Sequence, residues 1–402
     1  MTATLPGRTH GLGLATTRLL AEFPQLDPTS FAQINLFATL VGSAFCLPCG
    51  WLVDRFGVRP VLGAAMAALA VTVVLMSGVR DPARLAVYVT LSRGLGQSML
   101  SVISITMLGK WFRRDAGLVM GGYAVLMTVF MACATGGLAA RVSAAGWRTA
   151  WREMGVALAV LTPLAWWLAF PPPRSRSIPP EDAAASPDVA SSATLREALG
   201  TGCFWTFALS ISFFGLVTAG VSLFQQLILE ERGLPESVFH AVLIIGLLAG
   251  LVANFVGGWL SRRHSMAPLL AVAMYLLAGS LAVLPLLRSA WQAYAQAVVS
   301  GAAGGLLTVL FFAVWAPAFG PVHLGRIQSA AQMMTVFASA LGPLVVAWGC
   351  DRFGTYLPVL GGLSAVSVLL ALVALRVSVP SSSRGDWAVY GGGQSQPART
   401  PG

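Results

Sequence analysis

Apolar segments long enough to cross a bilayer fill most of this chain and leave few folds open to it. A helix needs about 20 apolar residues to span the hydrocarbon core. We predict complete spans at 30–53, 60–79, 84–109, 116–140, 152–170, 203–229, 237–260, 267–287, 291–316, 326–350 and 356–377, and an incomplete first one at about 3–22. The sequence therefore predicts an all-α multi-pass membrane protein.

The balance of charged and apolar residues excludes a soluble domain. Only 10% of the residues are charged and 56% are hydrophobic, whereas a soluble domain carries about a quarter charged residues. The net charge of +10 does not indicate nucleic-acid binding, because the basic residues are scattered singly or in pairs and form no basic stripe. The lipid bilayer is therefore the expected environment, and nucleic acid is not an expected partner.

Two polar segments divide the chain. Residues 171–202 open with three prolines and continue through Ser, Ala, Asp and Glu, and the chain after 378 is rich in Gly, Ser and Pro. Both compositions are typical of disorder. We predict an N-terminal helix bundle over 1–170, a cytoplasmic linker over 171–202, a C-terminal helix bundle over 203–377 and a disordered cytoplasmic tail over 378–402.

The distribution of Lys and Arg predicts the orientation in the cell membrane. The side that holds the linker carries fourteen of these residues in its connections and the other side carries eight. Since cytoplasmic loops are enriched in Lys and Arg, both termini are predicted to be cytoplasmic. The arginines between Arg141 and Arg152 oppose this bias.

The two halves of the chain resemble each other at a constant offset. Residues 50–62, GWLVDRFGVRPVL, align with 258–270, GWLSRRHSMAPLL, at an offset of 208 with six of thirteen positions identical. The same offset aligns Glu22 with Glu230, Gly42 with Gly250, Gly96 with Gly304 and Gly117 with Gly325. A duplicated six-helix unit is one of the repeat designs of secondary transporters, which bind substrate between the halves near the midplane.

The repeat also predicts that the first helix is incomplete at its N-terminal end. The seventh span begins near Cys203, and the offset maps this position to about five residues before Met1. We expect that the natural chain begins further upstream. A protein that tolerates a short first span is the alternative.

Several motifs resemble those of the major facilitator superfamily. Residues 50–59, between the second and third spans, resemble its signature loop, and Arg93-Gly94-Leu95-Gly96-Gln97 is similar to its helix-4 arginine motif. Segments 6–11, 109–114 and 351–356 resemble its monocarboxylate and oxalate/formate porter branch. The resemblance implies two pseudo-symmetric six-helix bundles and transport by alternating access. The sequence departs from the superfamily pattern in three ways. The first helix is short, and the loop of the second half has Arg262 at the position that matches Asp54. The basic residues that end the loop of the first half are reduced to Arg59.

The loop after the second span has the residues of a conformational latch. Gly50 and Gly57 permit close backbone approach and a tight turn, and Asp54 at a helix end can accept hydrogen bonds from a neighbouring helix N-terminus. Arg55 and Arg59 can pair with acidic groups or lipid headgroups. The resemblance implies that Asp54 holds one access state. A turn anchored to headgroups is the alternative, and for Arg59 it fits at least as well.

Two arginines inside predicted spans are the main candidates for substrate binding. Arg93 lies near the middle of its span, with Gln97 and Ser101 following at helical spacing, and Arg8 aligns with Leu216 near the midplane. No Asp or Glu lies in the middle of any predicted span. A guanidinium group matches a carboxylate in bidentate fashion. We therefore hypothesise that Arg8 and Arg93 line a central cavity and bind an organic anion, with hydrogen bonding to neighbouring helices as the alternative role.

Other polar residues within the spans have two interpretations each. His10 is suited to relaying a coupling proton, since imidazole titrates near neutrality, or to packing through a hydrogen bond. Asn254 and Gln332 either line the cavity or bond a neighbouring helix. Cys46 and Cys49 have C-x-x-C spacing without a second Cys or His pair, so no metal site and no cofactor are expected.

The sequence therefore favours a secondary transporter for a small organic anion, a carboxylate, acting as a monomer. There is no P-loop motif in the sequence, which argues against direct ATP drive. A transporter-like receptor or regulator that binds a ligand without moving it is the alternative. A membrane enzyme is disfavoured, because the four histidines lie in different segments.

Overall fold

The computed structural model of the protein describes residues 2–8, 11–12, 18–19, 22–23, 26, 28–111, 116–169, 192–261 and 263–379. His10 and Arg262 lie outside the described residues. The same holds for residue 170, for 171–191 of the predicted linker and for 380–402 of the predicted tail.

The N-terminal half begins with a short 3-10 helix, Thr2–Gly7, and continues as a series of long helices. These are α1 (Pro28–Ser43), α2 (Cys46–Phe56), α3 (Val58–Ser77), α4 (Pro82–Ser92), α5 (Leu100–Trp111), α6 (Ala116–Ala145) and α7 (Trp147–Leu168). Helices α4 and α5 are joined by a π-helical segment, Arg93–Met99. Helices α1 and α2 together form one crossing, as do α4, the π segment and α5.

The C-terminal half repeats this arrangement with fewer interruptions. Its helices are α8 (Leu195–Leu199), α9 (Gly202–Glu231), α10 (Glu236–Leu260), α11 (Met266–Val283), α12 (Ala290–Ala313), α13 (Trp315–Phe319), α14 (Leu324–Phe353) and α15 (Leu357–Arg376). A 3-10 turn, Leu284–Leu286, extends α11. Each half has its own hydrophobic core, with Trp147 and Trp151 buried in the first and Phe204 and Trp315 in the second.

All eleven complete spans predicted from the sequence correspond to helical crossings. Nine stretches of the described residues are long and apolar enough to cross a membrane. The other two crossings depart from that pattern for visible reasons: the one from Pro82 is interrupted by the π segment, and α7 carries Arg148, Arg152 and Glu153 near its start. The prediction of an all-α multi-pass fold is confirmed.

The sequence repeat reappears in the packing. An added Cβ on Gly42 of α1 would come within 3.1 Å of atoms of Arg93, and one on Gly250 of α10 would come within 3.3 Å of the carbonyl oxygen of Gly301. Both pairs obey the offset of 208, since 250 − 42 and 301 − 93 both equal 208. Gly301 is therefore the structural counterpart of Arg93 in the second half.

The last part of the predicted linker is not disordered. Residues Leu195–Leu199 form α8, and Thr194 and Glu197 make a capping box, in which the Thr194 hydroxyl accepts from the Glu197 N–H at 3.3 Å and the Thr194 N–H donates to Glu197 Oε2 at 2.7 Å. The Ala193 N–H also donates to the carbonyl oxygen of Phe319 at 2.9 Å. Composition indicated disorder here, but capping and docking onto the C-terminal half order this segment.

Candidate functional site

The π segment Arg93–Met99 positions the arginine of the fourth crossing. A π turn inserts an extra residue into a helix and often marks a functional site. Small residues let the neighbouring elements approach this wider turn: an added Cβ on Gly94 would come within 2.7 Å of the Phe45 ring, and one on Gly96 within 3.4 Å of the Gly7 Cα. The 3-10 helix and α1 therefore pack directly against the segment that carries Arg93.

The Arg93 guanidinium is buried and bonded to amide side chains. Arg93 is 2% exposed. Its Nη2 donates to Asn35 Oδ1 at 2.8 Å and its Nη1 donates to Gln97 Oε1 at 3.1 Å. Asn35 is fixed in turn, since its Nδ2 donates to the Phe31 carbonyl oxygen at 2.9 Å. Both of these hydrogen-bond acceptors are neutral amide oxygens.

Arg8 lies just beyond the 3-10 helix, in the same region of the N-terminal half. Its Nε donates to Thr4 Oγ1 at 2.8 Å. The neighbouring Gly7 packs against the backbone of Ser92, immediately before Arg93, where an added Cβ would overlap the carbonyl oxygen. The structure thus brings the segments of Arg8 and Arg93 together, as the hypothesis of a shared site requires.

The remaining predicted substrate residues are distributed over both halves. Gln97 is half-buried and contacts Arg93, and Ser101 lies one turn further along the same crossing and is 2% exposed. Asn254 is 8% exposed on α10, where its backbone packs against Gly305 of α12. Gln332 is half-buried on α14. Among the described residues, neither Asn254 nor Gln332 makes a hydrogen bond to the two arginines.

Asp54 joins the two halves of the protein at one end of the bundle. Its Oδ1 accepts the Gly325 N–H at 3.0 Å and its Oδ2 accepts the Arg326 N–H at 2.9 Å. These donors belong to the first turn of α14, where the residue at the N-cap, His323, makes no side-chain cap. Because the first N–H groups of a helix lack intrahelical partners and carry partial positive charge, Asp54 of one half caps a helix of the other.

Lys110 completes the charge balance around Asp54. Its Nζ lies 2.8 Å from Asp54 Oδ1, and the side chains of Lys110 and Asp54 are 18% and 5% exposed. The Asp54 carboxylate therefore has one charged donor from α5 and two backbone donors from α14. We call Asp54, Lys110, Gly325 and Arg326 the Asp54 cluster.

Close backbone approach makes the Asp54 cluster possible. An added Cβ on Gly50 would overlap Ser329 Oγ and the Gly325 carbonyl oxygen, and an added Cβ on Gly325 would come within 2.8 Å of the Gly50 carbonyl oxygen. The two glycines therefore face each other where α2 and α14 cross. Gly57 has a φ of +86° and separates α2 from α3, a backbone conformation that favours glycine.

The two arginines of the loop contact aromatic rings. The Arg55 guanidinium lies 5.4 Å from the centre of the Trp51 ring, and its repeat counterpart Arg263 lies 4.6 Å from that of Trp259. Arg59 lies 3.7 Å from the Trp166 ring centre and its Nε donates to the Trp166 carbonyl oxygen at 2.8 Å. Arg59 thus holds the start of α3 against the end of α7 within the N-terminal half.

Sequence reasoning missed four further contacts. Nothing in the sequence singles out Asn35 as the partner of Arg93. Lys110 does stand out in the sequence, because it is the only lysine among the 25 basic residues. Two contacts also cross between the halves. Thr106 Oγ1 donates to Gln328 Oε1 at 2.9 Å in a buried hydrogen bond, and the half-buried rings of Tyr123 and Phe312 meet edge to face at 6.2 Å.

Comparison with known proteins identifies the family. A family model of the Major Facilitator Superfamily matches residues 11–299. This chain belongs to that superfamily. The superfamily assignment agrees with the resemblance noted in the sequence, whereas the monocarboxylate and oxalate/formate branch is not confirmed.

Individual superfamily relatives are distant in sequence and close in fold. The chain is 29% identical over 140 residues to a probable L-galactonate transporter of Escherichia coli (strain K12), and this match covers 35% of the chain and 30% of that relative. The human organic anion transporter MFSD10 (TETRAN) superposes with a TM-score of 0.70 at 17% identity, covering 93% of this chain and 96% of its own. The proton:xylose symporter XylE superposes with a TM-score of 0.68 at 14% identity, covering 97% and 98%.

Proposed function

We propose that this protein is a secondary transporter that moves a small organic anion, a carboxylate, by alternating access between its two halves. The observation that carries the proposal is the burial of the Arg93 guanidinium, which is 2% exposed within the N-terminal half and bonded to Asn35 and Gln97. A guanidinium group presents a planar donor fork that matches a carboxylate. Arg8, on the segment that packs against Arg93, adds a second guanidinium group.

The names of the relatives support an anionic substrate over a neutral one. The probable L-galactonate transporter and the human organic anion transporter are both named after anions. The proton:xylose symporter is named after a neutral sugar. A sugar symporter therefore shares this fold, and the fold alone does not select the substrate. We assign the carboxylate preference to Arg8 and Arg93, and the monocarboxylate and oxalate/formate branch remains our proposal from the motifs at 6–11, 109–114 and 351–356.

The Asp54 cluster supports alternating access. The hydrogen bonds that we describe between the halves lie at the end of the bundle that carries Asp54. We infer that this end faces the cytoplasm, because it holds the excess of Lys and Arg, and that this structure is closed on that side. Opening then requires α14 to leave Asp54, so the cluster acts as a latch. His10 is our candidate for a proton relay, and we expect the protein to act as a monomer in the cell membrane.

A counterflow screen with the purified protein in liposomes tests this proposal. Liposomes preloaded with an unlabelled carboxylate should accumulate the same labelled carboxylate transiently, whereas liposomes loaded with its neutral amide should not. Equilibrium binding of the carboxylate is measured in parallel. Binding without counterflow would identify the receptor-like alternative, and the absence of both for mono- and dicarboxylates would reject an organic-anion transporter.

We expect a Gly50→Ala variant to lose at least about tenfold in uptake, because the new methyl group cannot coexist with the closed contact between α2 and α14. Relaxation of Ser329 cannot relieve the overlap, since the Gly325 carbonyl oxygen is part of the backbone. Gly362→Ala on α15 is the matched control, because an added Cβ there meets no atom within 4 Å. Uptake by both variants at the wild-type rate would contradict a role for this crossing in the transport cycle.

A further inference from the structure

An arginine-lined cavity lies at the end of the N-terminal half opposite to Asp54, and the proposed transport mechanism does not use it. The cavity has a volume of about 710 Å³ and lies where the end of α3, the start of α4 and the start of α7 meet. Its charged lining residues are Arg80, Asp81, Arg84, Arg148 and Arg152. Four guanidinium groups against one carboxylate leave the lining with a net charge of +3.

Internal contacts neutralise part of this charge, because the Glu22 carboxylate pairs with Arg148. Asp81 caps α4 by accepting the Arg84 N–H at 3.2 Å. Arg148 is held in place, since it donates to Glu22 Oε2 at 2.7 Å and to the Ser77 carbonyl oxygen at 2.9 Å. In the part of the chain that the structure describes, the exposed side chains of Arg80, Arg84 and Arg152 make no hydrogen bond or ion pair.

The local electrostatics disfavour this arrangement unless an anion is present. Like charges that share a cavity repel each other. Helix α7 begins at Trp147, its N-cap residue Gly146 provides no side-chain cap, and Arg148 and Arg152 lie within its first two turns. Cations are unfavourable at a helix N-terminus and anions are favourable there. These arginines also oppose the predicted orientation of the chain.

The cavity continues into an apolar surface of the bundle. A second cavity of about 540 Å³ shares Arg152 with the first. Glu153, whose carboxylate pairs with Arg141, also lines it. The rest of its lining includes Val156, Val160 and Leu161, whose side chains are 51%, 69% and 48% exposed. Leu75, in the lining of the first cavity, is 50% exposed. Exposed apolar side chains on a membrane-spanning bundle face acyl chains. A charged cavity at the membrane surface therefore leads into a lipid-facing furrow.

We propose that the arginine-lined cavity binds the phosphate headgroup of an anionic phospholipid, whose acyl chains follow the furrow of Val156, Val160 and Leu161. Phosphate oxygens match the planar donor fork of guanidinium groups, and a volume of about 710 Å³ is in the range of small-molecule sites. A soluble anion would fill the charged cavity alone, whereas a phospholipid also covers the apolar furrow. This inference does not depend on the identity of the transported substrate.

Native mass spectrometry of the full-length protein with added phosphatidylglycerol tests this site. We expect the Arg80→Gln/Arg84→Gln/Arg152→Gln variant to bind phosphatidylglycerol at least about tenfold more weakly than the wild type, because each basic group near an anionic lipid strengthens its binding. The matched control is Arg232→Gln/Arg288→Gln/Arg352→Gln, which removes the same charge from the same end of the C-terminal half. It should bind within about twofold of the wild type. Equal binding by all three proteins, or equal loss in both variants, would overturn the proposal.

Competition with a soluble phosphate ester distinguishes the two sources of the phosphate group. Millimolar sn-glycerol 3-phosphate should leave phosphatidylglycerol bound to the wild type, because the soluble ester lacks the acyl chains that cover the furrow. Displacement of the lipid at that concentration would assign the cavity to a soluble phosphate and overturn the lipid proposal. Zwitterionic phosphatidylethanolamine should bind more weakly than phosphatidylglycerol, and the reverse order would also count against the site.

Discussion

An Arg93→Ala variant is expected to lose carboxylate uptake by about 100-fold or more while it remains inserted in the membrane. Arg93 is 2% exposed and donates hydrogen bonds to the side-chain oxygens of Asn35 and Gln97. Losing a hydrogen bond to a charged group costs about 1.5–3 kcal/mol, and a loss of about 2.7 kcal/mol of transition-state stabilisation already lowers the rate 100-fold. The loss of the positive charge that attracts the substrate lowers the uptake further. Uptake of a radiolabelled carboxylate into liposomes measures the loss.

A second readout separates substrate binding from a purely structural role of Arg93. The wild type should prefer a carboxylate over its neutral amide, and Arg93→Gln should lose this preference, because the neutral side chain no longer distinguishes the two. Arg93→Lys keeps the charge without the bidentate fork and should retain the preference with a raised KM. Arg288→Ala, at an exposed position of the second half, is the control for the loss of one arginine. If Arg93→Gln transports poorly but keeps the preference, Arg93 only connects helices.

An Asp54→Ala variant is expected to open the Asp54 end of the bundle and to lose most of its uptake. The substitution removes the cap from the N-terminus of α14. It also removes the carboxylate that pairs with Lys110, whose side chain is 18% exposed. A lost helix cap costs about 0.5–2 kcal/mol, and removing one partner of a buried ion pair costs about 3–5 kcal/mol. Even a part of this total shifts the balance between closed and open states by more than tenfold.

Thiol labelling from the Asp54 side measures the opening. A cysteine introduced as Thr106→Cys is buried in the closed state, since Thr106 is 0% exposed against Gln328. Cys133 and Cys350, the two cysteines that are not buried, are replaced by serine in the background. Labelling of the introduced thiol should be at least about tenfold faster in Asp54→Ala.

Glu153→Ala, which breaks the exposed pair with Arg141, should leave the rate unchanged, because such pairs contribute little. Equal labelling rates with and without Asp54 would eliminate the latch.

Sequence reasoning predicted the features that depend on local pattern. The length of the apolar segments located all eleven complete crossings, and a constant offset predicted the duplicated half. The residues of the loop also indicated their local geometry: Gly57 adopts a positive φ, and Asp54 accepts hydrogen bonds from the N-terminus of another helix. The apolar lengths and the turn at Gly57 have their physical cause within a short stretch of chain. The position of Asp54 at a helix end indicated that it would accept such bonds, but not that α14 would provide them.

Features that depend on contacts between distant segments were not predictable in the same way. Asn35 lies 58 residues before Arg93, Lys110 lies 56 residues after Asp54, and Thr106 lies 222 residues before Gln328. Only the packed bundle brings these side chains together. The π segment also escaped prediction, since its residues fit an α-helix equally well, and so did α8, because its order depends on docking onto Phe319.

The pairing of Arg93 with Gly301 across the repeat has a consequence for the proposed transport cycle. Duplication placed the same structural position in both halves, and only the first half carries a charge there, whereas the second has a glycine that lets α10 and α12 pack tightly. Arg8 belongs to the first half as well. A bound anion would then keep the same charged ligands in both access states, so that the cycle requires no transfer of the ion from one half to the other.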